Sequence, residues 1–329
     1  MSNSSRILAQ NSKSSGESSP TWKIILFAVV LVAVSGPWSR ADVALVAGIA
    51  LALCGLSSFA KQSKTASKWL IQACVVVLGL RLDLSVVMHS AIEGLALAAG
   101  TIIGAVVIGL FLGKILKCGR EVSTLVTSGT AICGGSAIVA VGAAINASTS
   151  AMAVATGAIF ILNAVGLWTL PMIGHSLGLT EVQFGQWAGV ALHDIASVGG
   201  ASSSYGPVAF DTATIVKLTR VIWIFPLALF AGQWMRRGDA SAAKPAFPWF
   251  IVAFLVASGV RTLFPQLKSI EADVIFGSGL GFQLALFLIG SGLSREAIKK
   301  VGWRAFVQAT VLWIIVAAAS LGVIYWGVV

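Results

Sequence analysis

Charge is what this sequence has least of: Asp, Glu, Lys and Arg make up only 10% of its 329 residues, against about 25% in a soluble domain. A surface that poor in charge cannot be presented to water, which excludes an ordinary soluble enzyme or binding module. The usual chemical motifs are missing too. The four cysteines, Cys54, Cys74, Cys118 and Cys133, form no CxxC pair, and all but Cys118 lie inside apolar runs; this excludes a disulfide framework and a cysteine metal site. There is no GxxxxGK[ST] loop for a nucleotide, no HExxH and no GxSxG elbow. The sequence therefore reads as a protein that is not an enzyme, takes no cofactor and does not run on ATP.

Long apolar runs take the place of charge. Hydrophobic residues make up 57% of the chain and the mean hydropathy is +0.93. A bilayer core roughly 30 Å thick needs about 20 apolar residues per spanning helix. Eleven segments qualify, at roughly 23–39, 41–59, 68–81, 91–113, 121–145, 149–172, 182–204, 208–235, 247–264, 270–293 and 302–327. The fold class is an all-α polytopic membrane protein of about 11 transmembrane helices. Residues 1–22, polar and Ser-rich, read as a disordered cytoplasmic tail, and 23–329 as one transmembrane transporter domain. The first apolar run has the length of a signal-peptide core, but Ser35-Gly36-Pro37-Trp38 leads straight into the next segment without a small-x-small cleavage site.

The formal net charge of +10 does not indicate nucleic acid, because the basic residues sit in short clusters between apolar runs. With the N-terminus inside, the inner segments hold Arg6, Lys13, Lys23, Lys61, Lys64, Lys68, Lys114, Lys117, Arg120, Arg236, Arg237, Lys244, Arg295, Lys299, Lys300 and Arg304. Those are 16 of the 22 basic residues, while Arg40, Arg81, Arg261 and Lys268 fall outside. This is the positive-inside pattern of a bacterial inner-membrane protein with a cytoplasmic N-terminus and an external C-terminus. The inner loop near His175 to Glu181 is the exception, since it holds no basic residue. Trp22, Trp38, Trp69, Trp168, Trp234, Trp249, Trp303 and Trp326 lie near the segment ends, where an amphipathic ring suits the headgroup layer. The segments divide into an extra helix at 23–39, repeat one at 41–172 and repeat two at 182–327. The two sets of five start from opposite sides, as inverted repeats with a site at the midplane do.

Four segments carry polar chemistry. The fifth holds Ser128-Gly129-Thr130-Ala131-Ile132-Cys133-Gly134-Gly135-Ser136. A helix broken there would turn the free amides of a restarted helix, near Ser136, toward an anion; close helix packing through small residues is the alternative. The tenth holds Phe276-Gly277-Ser278-Gly279-Leu280-Gly281-Phe282-Gln283 at the matching place in the second five, which predicts a second broken helix. The seventh holds His193-Asp194, an ionisable pair that could carry a coupling proton or make a structural hydrogen bond. The eighth places Lys217 and Arg220 on one helix face near mid-membrane. A buried cation pair needs an anion, either Asp194, Asp211 or a substrate, and an Arg fork suits an oxyanion.

These residues resemble the YeiH family of sulfate exporters, over about residue 40 to the end. The resemblance is carried by GTAICGGSAI at 129–138, HDIASVGGAS at 193–202 and ATIVKLTR at 213–220. Ser197 departs from it, standing where the family pattern has Gln. The family is similar to the bile-acid/sodium symporters and cation/proton antiporters. That implies inverted five-helix repeats, two crossed broken helices and a core domain that moves against a panel. On this reading the protein is a secondary transporter exporting a sulfur oxyanion, sulfate or sulfite, by alternating access. Thr130, Cys133, Gly134, Gly135, Ser136, Ser278, Gly279 and Gln283 would line the site, with Lys217 and Arg220 supplying positive field and His193 or Asp194 the proton. The partners are a small-molecule anion, the lipid bilayer and a second copy of the chain. A carboxylate, sulfonate or cation-coupled transporter of the same fold and an anion channel are the rivals; no acidic pair at the crossing favours a cation.

Overall fold

The computed structural model describes residues 21–36, 38–56, 59–235, 249–292 and 302–327. Most of the expected tail, and the basic residues Arg236, Arg237, Lys244, Arg295, Lys299 and Lys300, lie outside these residues. Among the described residues every regular element is a helix: α1 (Thr21–Val34), α2 (Ala41–Leu53), α3 (Ala60–Gly79), α4 (Leu84–Ile115), α5 (Arg120–Ala131), α6 (Gly135–Ala144), α7 (Thr149–Ser176), α8 (Glu181–Ala191), α9 (Ile195–Ser203), α10 (Pro207–Ile222), α11 (Ile224–Met235), α12 (Trp249–Leu263), a 3-10 turn (Pro265–Ile270), α13 (Glu271–Ser291) and α14 (Trp303–Tyr325). Among the described residues, five stretches are long and apolar enough to cross a membrane: Leu97–Ile115, Thr149–Ser176, Pro207–Met235, Pro265–Ser291 and Trp303–Tyr325.

The segment read from sequence as a fifth span does not run through. At about 1.5 Å per residue, α5 and α6 are each too short to cross a core of roughly 30 Å, and α6 folds back along α5. Ile138 packs where a Gly129 side chain would be, Leu125 lies beside Gly142, and the Glu121 carboxylate at the open end accepts from the Ser148 amide at 3.1 Å and hydroxyl at 2.9 Å. The result is a helical hairpin with its tip at Ile132-Cys133-Gly134. The expected seventh span is a second hairpin, α8 and α9, with its tip at Leu192-His193-Asp194. Its open end is closed in the same way: Glu181 accepts from the Val208 and Ala209 amides at 2.8 and 3.2 Å, and Tyr205 donates to the Leu179 carbonyl at 2.7 Å.

The two hairpins open at opposite ends of the bundle. From Ser148 beside Glu121, α7 runs to His175, whose ring stacks on Tyr205 at 4.2 Å. From Val208 beside Glu181, α10 and α11 run back to Met235, which meets Thr124 at 3.3 Å, and Trp234 lies under the Arg120 guanidinium at 5.5 Å. Helix α14 runs past both: Gln308 donates to the Gly109 carbonyl and the Ser123 hydroxyl at 2.9 Å, Trp313 to Ala191 and Trp187 to Ala317, each at 2.9 Å. The matched geometry recurs at a spacing of 60 residues, Glu121 with Glu181, Ala131 with Ala191 and Gly135 with Ile195. The sequences Gly129-Thr130-Ala131-Ile132 and Gly189-Val190-Ala191-Leu192 share that register.

The second interruption expected within 276–281 is absent: α13 is a continuous helix from Glu271 to Ser291. Its small residues serve close packing. A Cβ on Gly281 would lie 2.1 Å from the Cys74 sulfur, and one on Gly290 2.6 Å from the Leu45 carbonyl. Small residues let neighbouring backbones approach where lipid gives helices no hydrophobic reason to associate.

Candidate functional site

Breaking a helix frees the last carbonyls of its first half and the first amides of its second. Away from water each needs a partner. At the first tip Gly134 makes the turn with φ 63° and ψ −120°, a conformation open to glycine and closed to other residues. A Cβ there would also stand 3.2 Å from the Cβ of His193 and from Ile159, so the two tips are in direct contact. The second tip has no glycine and turns on side chains instead. Asp194 caps α9, accepting from the Ser197 amide at 2.7 Å and hydroxyl at 2.9 Å. Asn163 of α7 accepts from the His193 amide at 2.9 Å and donates to the Asp194 carboxylate.

The freed carbonyls are taken by the two buried cations. Lys217 Nζ donates to Ile132 of the first tip at 3.0 Å and to Leu192 of the second at 2.5 Å. Arg220 donates to Ala131 of the first tip and, at 2.6 Å, to the Thr101 hydroxyl of α4. A helix C-terminus carries partial negative charge, so cations are at home there. Both residues are 0% exposed. Among the described residues neither has a carboxylate oxygen within 4.0 Å. The alternative of an ion pair with Asp194 is therefore not realised, and Asp211 is paired with Arg81 at 2.8 Å.

Among the described residues, three polar atoms at the tips are buried with no partner: Thr130 Oγ1, His193 Nε2 and Arg220 Nε. The histidine tautomer follows from its neighbours. The His193 main-chain amide can only donate, so the Asn163 atom that meets it is Oδ1, and Nδ2 faces Asp194. Asn163 Oδ1 lies 3.0 Å from His193 Nδ1, so that nitrogen carries the ring proton and Nε2 holds the lone pair. On the far side of the first tip, Gly135 has nothing within 4 Å of its Cβ direction and Ser136 is exposed. The start of α6 is therefore open on one face, with the cations behind it.

Of the residues singled out from sequence, the structure gathers Thr130, Cys133, Gly134, Gly135, Ser136, His193, Asp194, Lys217 and Arg220 around the tips. It does not bring Ser278, Gly279 and Gln283 there. Gln283 donates to the Val34 and Gly36 carbonyls at the end of α1. Ser278, buried with its hydroxyl unpartnered, lies one turn from Phe282, whose ring packs on Gly199. Asn163, Thr101 and Trp313 were not anticipated. The signal for Asn163 was available, since it is a lone amide in an otherwise apolar helix.

A family model described as "Conserved hypothetical protein 698" matches residues 20–309. The chain is 38% identical to a UPF0324 membrane protein of Bdellovibrio bacteriovorus, over 92% of this chain and 94% of that one. It is 40% identical to one of Geobacter sulfurreducens over 90% and 94%, and 35% identical to one of Vibrio vulnificus over 91% and 97%. No solved structure matches.

Proposed function

The chain belongs to this family of UPF0324 membrane proteins, and from that footing we propose that it is a secondary transporter exporting a small sulfur oxyanion, sulfate or sulfite, by alternating access. One observation carries the reading: Lys217 and Arg220 are wholly buried where two hairpin tips meet, with no carboxylate oxygen within 4.0 Å among the described residues. Burying unbalanced charge is costly, and an anion arriving at the open start of α6 offsets that cost. Arg220 keeps its Nε–H for it, Thr130 its hydroxyl, and the α6 amides add partial positive charge.

The opposed hairpins support an inverted pair, 120–176 and 180–235, in place of inverted sets of five. Tips that enter from opposite ends and meet in the middle give two routes to one site, and alternating access opens them in turn. The cluster of Lys64, Lys68, Lys114, Lys117, Arg120 and Arg304 at the first hairpin's open end supports placing that end, and the N-terminus, in the cytoplasm of an inner-membrane protein. The test is uptake of radiolabelled sulfate and sulfite by proteoliposomes, with and without a pH gradient. Saturable uptake that Ser136→Leu abolishes is expected. No uptake of either ion by folded, inserted protein would overturn the assignment and turn attention to small carboxylates and sulfonates.

A further inference from the structure

Lys217 does something that a charge facing a substrate would not need to do: it bonds to main-chain carbonyls of two different hairpins. Its Nζ lies 3.0 Å from the Ile132 oxygen and 2.5 Å from the Leu192 oxygen. The two residues are 60 positions apart and sit on hairpins that open at opposite ends. Both carbonyls are left over by a helix break. They point where they do because Gly134 turns the first tip and the Asp194 cap turns the second. Neighbouring acceptors at the tips are already occupied, Ala131 by Arg220 and Ala191 by Trp313. What remains is a buried pair of carbonyl oxygens with one cation between them, and that cation is tethered to α10.

We infer that the meeting point of the tips is a binding site for a primary ammonium ion, formed by the Ile132 and Leu192 carbonyls and filled by the chain's own Lys217. The consequence is specific. Wild-type protein carries its cation covalently and holds its tips together without any free one. Truncating Lys217 uncovers the site, and the protein then depends on a small ammonium from solution. Movement that parts the tips must break at least one of the two bonds, so the same cation also joins the hairpins in this arrangement. The inference does not depend on which ion is transported.

The experiment is chemical rescue read as thermal stability. Lys217→Ala retains the Cβ, and n-propylammonium supplies the missing three carbons and the head. Purified Lys217→Ala is expected to melt below wild type, and n-propylammonium to restore most of the loss saturably. n-Propanol has the shape without the charge, and tetramethylammonium the charge without N–H donors; neither should restore it. Wild type should respond to none of the three. Lys217→Met fills the stem's space, so n-propylammonium should leave its melting temperature unchanged. Equal response of wild type and variant, rescue by tetramethylammonium, or no rescue of Lys217→Ala would each overturn the inference. If Lys217→Ala is not recovered folded in plain buffer, it should be recovered when membranes are solubilised in n-propylammonium; failure there overturns it as well. Because the readout is melting, a failed transport assignment leaves this result standing, and the reverse also holds.

Discussion

Gly134 carries two constraints at once. Its φ of 63° with ψ −120° is closed to other residues, and its missing Cβ leaves room for His193 and Ile159 at 3.2 Å. Gly134→Ala should cost about 1–3 kcal/mol from backbone strain alone, seen as a lower melting temperature. Gly135→Ala, one residue on and open to 4 Å, should leave melting near wild type. An equal fall for both would contradict this account of the tip. Asp194 gives a second contrast. As a cap of α9, it should lose about 1 kcal/mol on change to Ala; Asn keeps an acceptor for the Ser197 amide but sets its NH2 against the Asn163 amide, a cost of about 1–3 kcal/mol. A proton carrier would lose coupling in both variants, so normal proton-dependent uptake by Asp194→Asn identifies a cap. The cap was legible in Asp194-Ile195-Ala196-Ser197, a side-chain acceptor three residues before its donor. Reading the segment as a continuous span hid it.

At the level of elements, hydropathy marks apolar segments but does not distinguish a segment that crosses from one that folds back. Halves of twelve and ten residues, α5 and α6, joined by an apolar tip, sum to the length of a span. Glycine marks the break at Gly134-Gly135 but does not mark one in α13, whose Gly281 and Gly290 serve close packing. The second tip turns on Asp194 and Asn163, with no glycine to mark it. Two loops therefore change sides relative to the eleven-span reading. A cysteine placed at exposed Ser150 should react with an impermeant thiol reagent from the side of the N-terminus, and one at Leu177 from the opposite side, in a background lacking Cys54 and Cys118. The reverse labelling would restore continuous spans and remove the hairpins.

For the whole molecule, in the proposed topology, folding both segments back leaves the remaining crossings and the sidedness of the basic clusters unchanged, so the basic residues carry the same signal with hairpins as with continuous spans. The basic-free loop from His175 to Glu181 was the discordant signal. In the structure it lies at the end that holds Arg81, Asp211 and Glu271, away from the basic clusters. The eight tryptophans assigned to the membrane surface are all exposed, while Trp187 is buried and donates to Ala317, and Trp313 donates to the second tip at Ala191. Residue type is the same in both groups; position along each helix separates them. What sequence could not supply is the convergence of α4, α7, α10 and α14 on two tips, because it depends on contacts between residues far apart in the chain.

The central claim is that unbalanced positive charge at the tips holds the transported anion, and Arg220→Gln tests it most directly. Gln can still donate to the Ala131 carbonyl, but it brings no charge. Loss of a charge-assisted hydrogen bond, about 1.5–3 kcal/mol, corresponds to a rise of about tenfold to a hundredfold in the half-saturating anion concentration. That rise, measured by uptake into proteoliposomes with folded, inserted protein, is the predicted result; a half-saturating concentration equal to that of wild type would contradict the account.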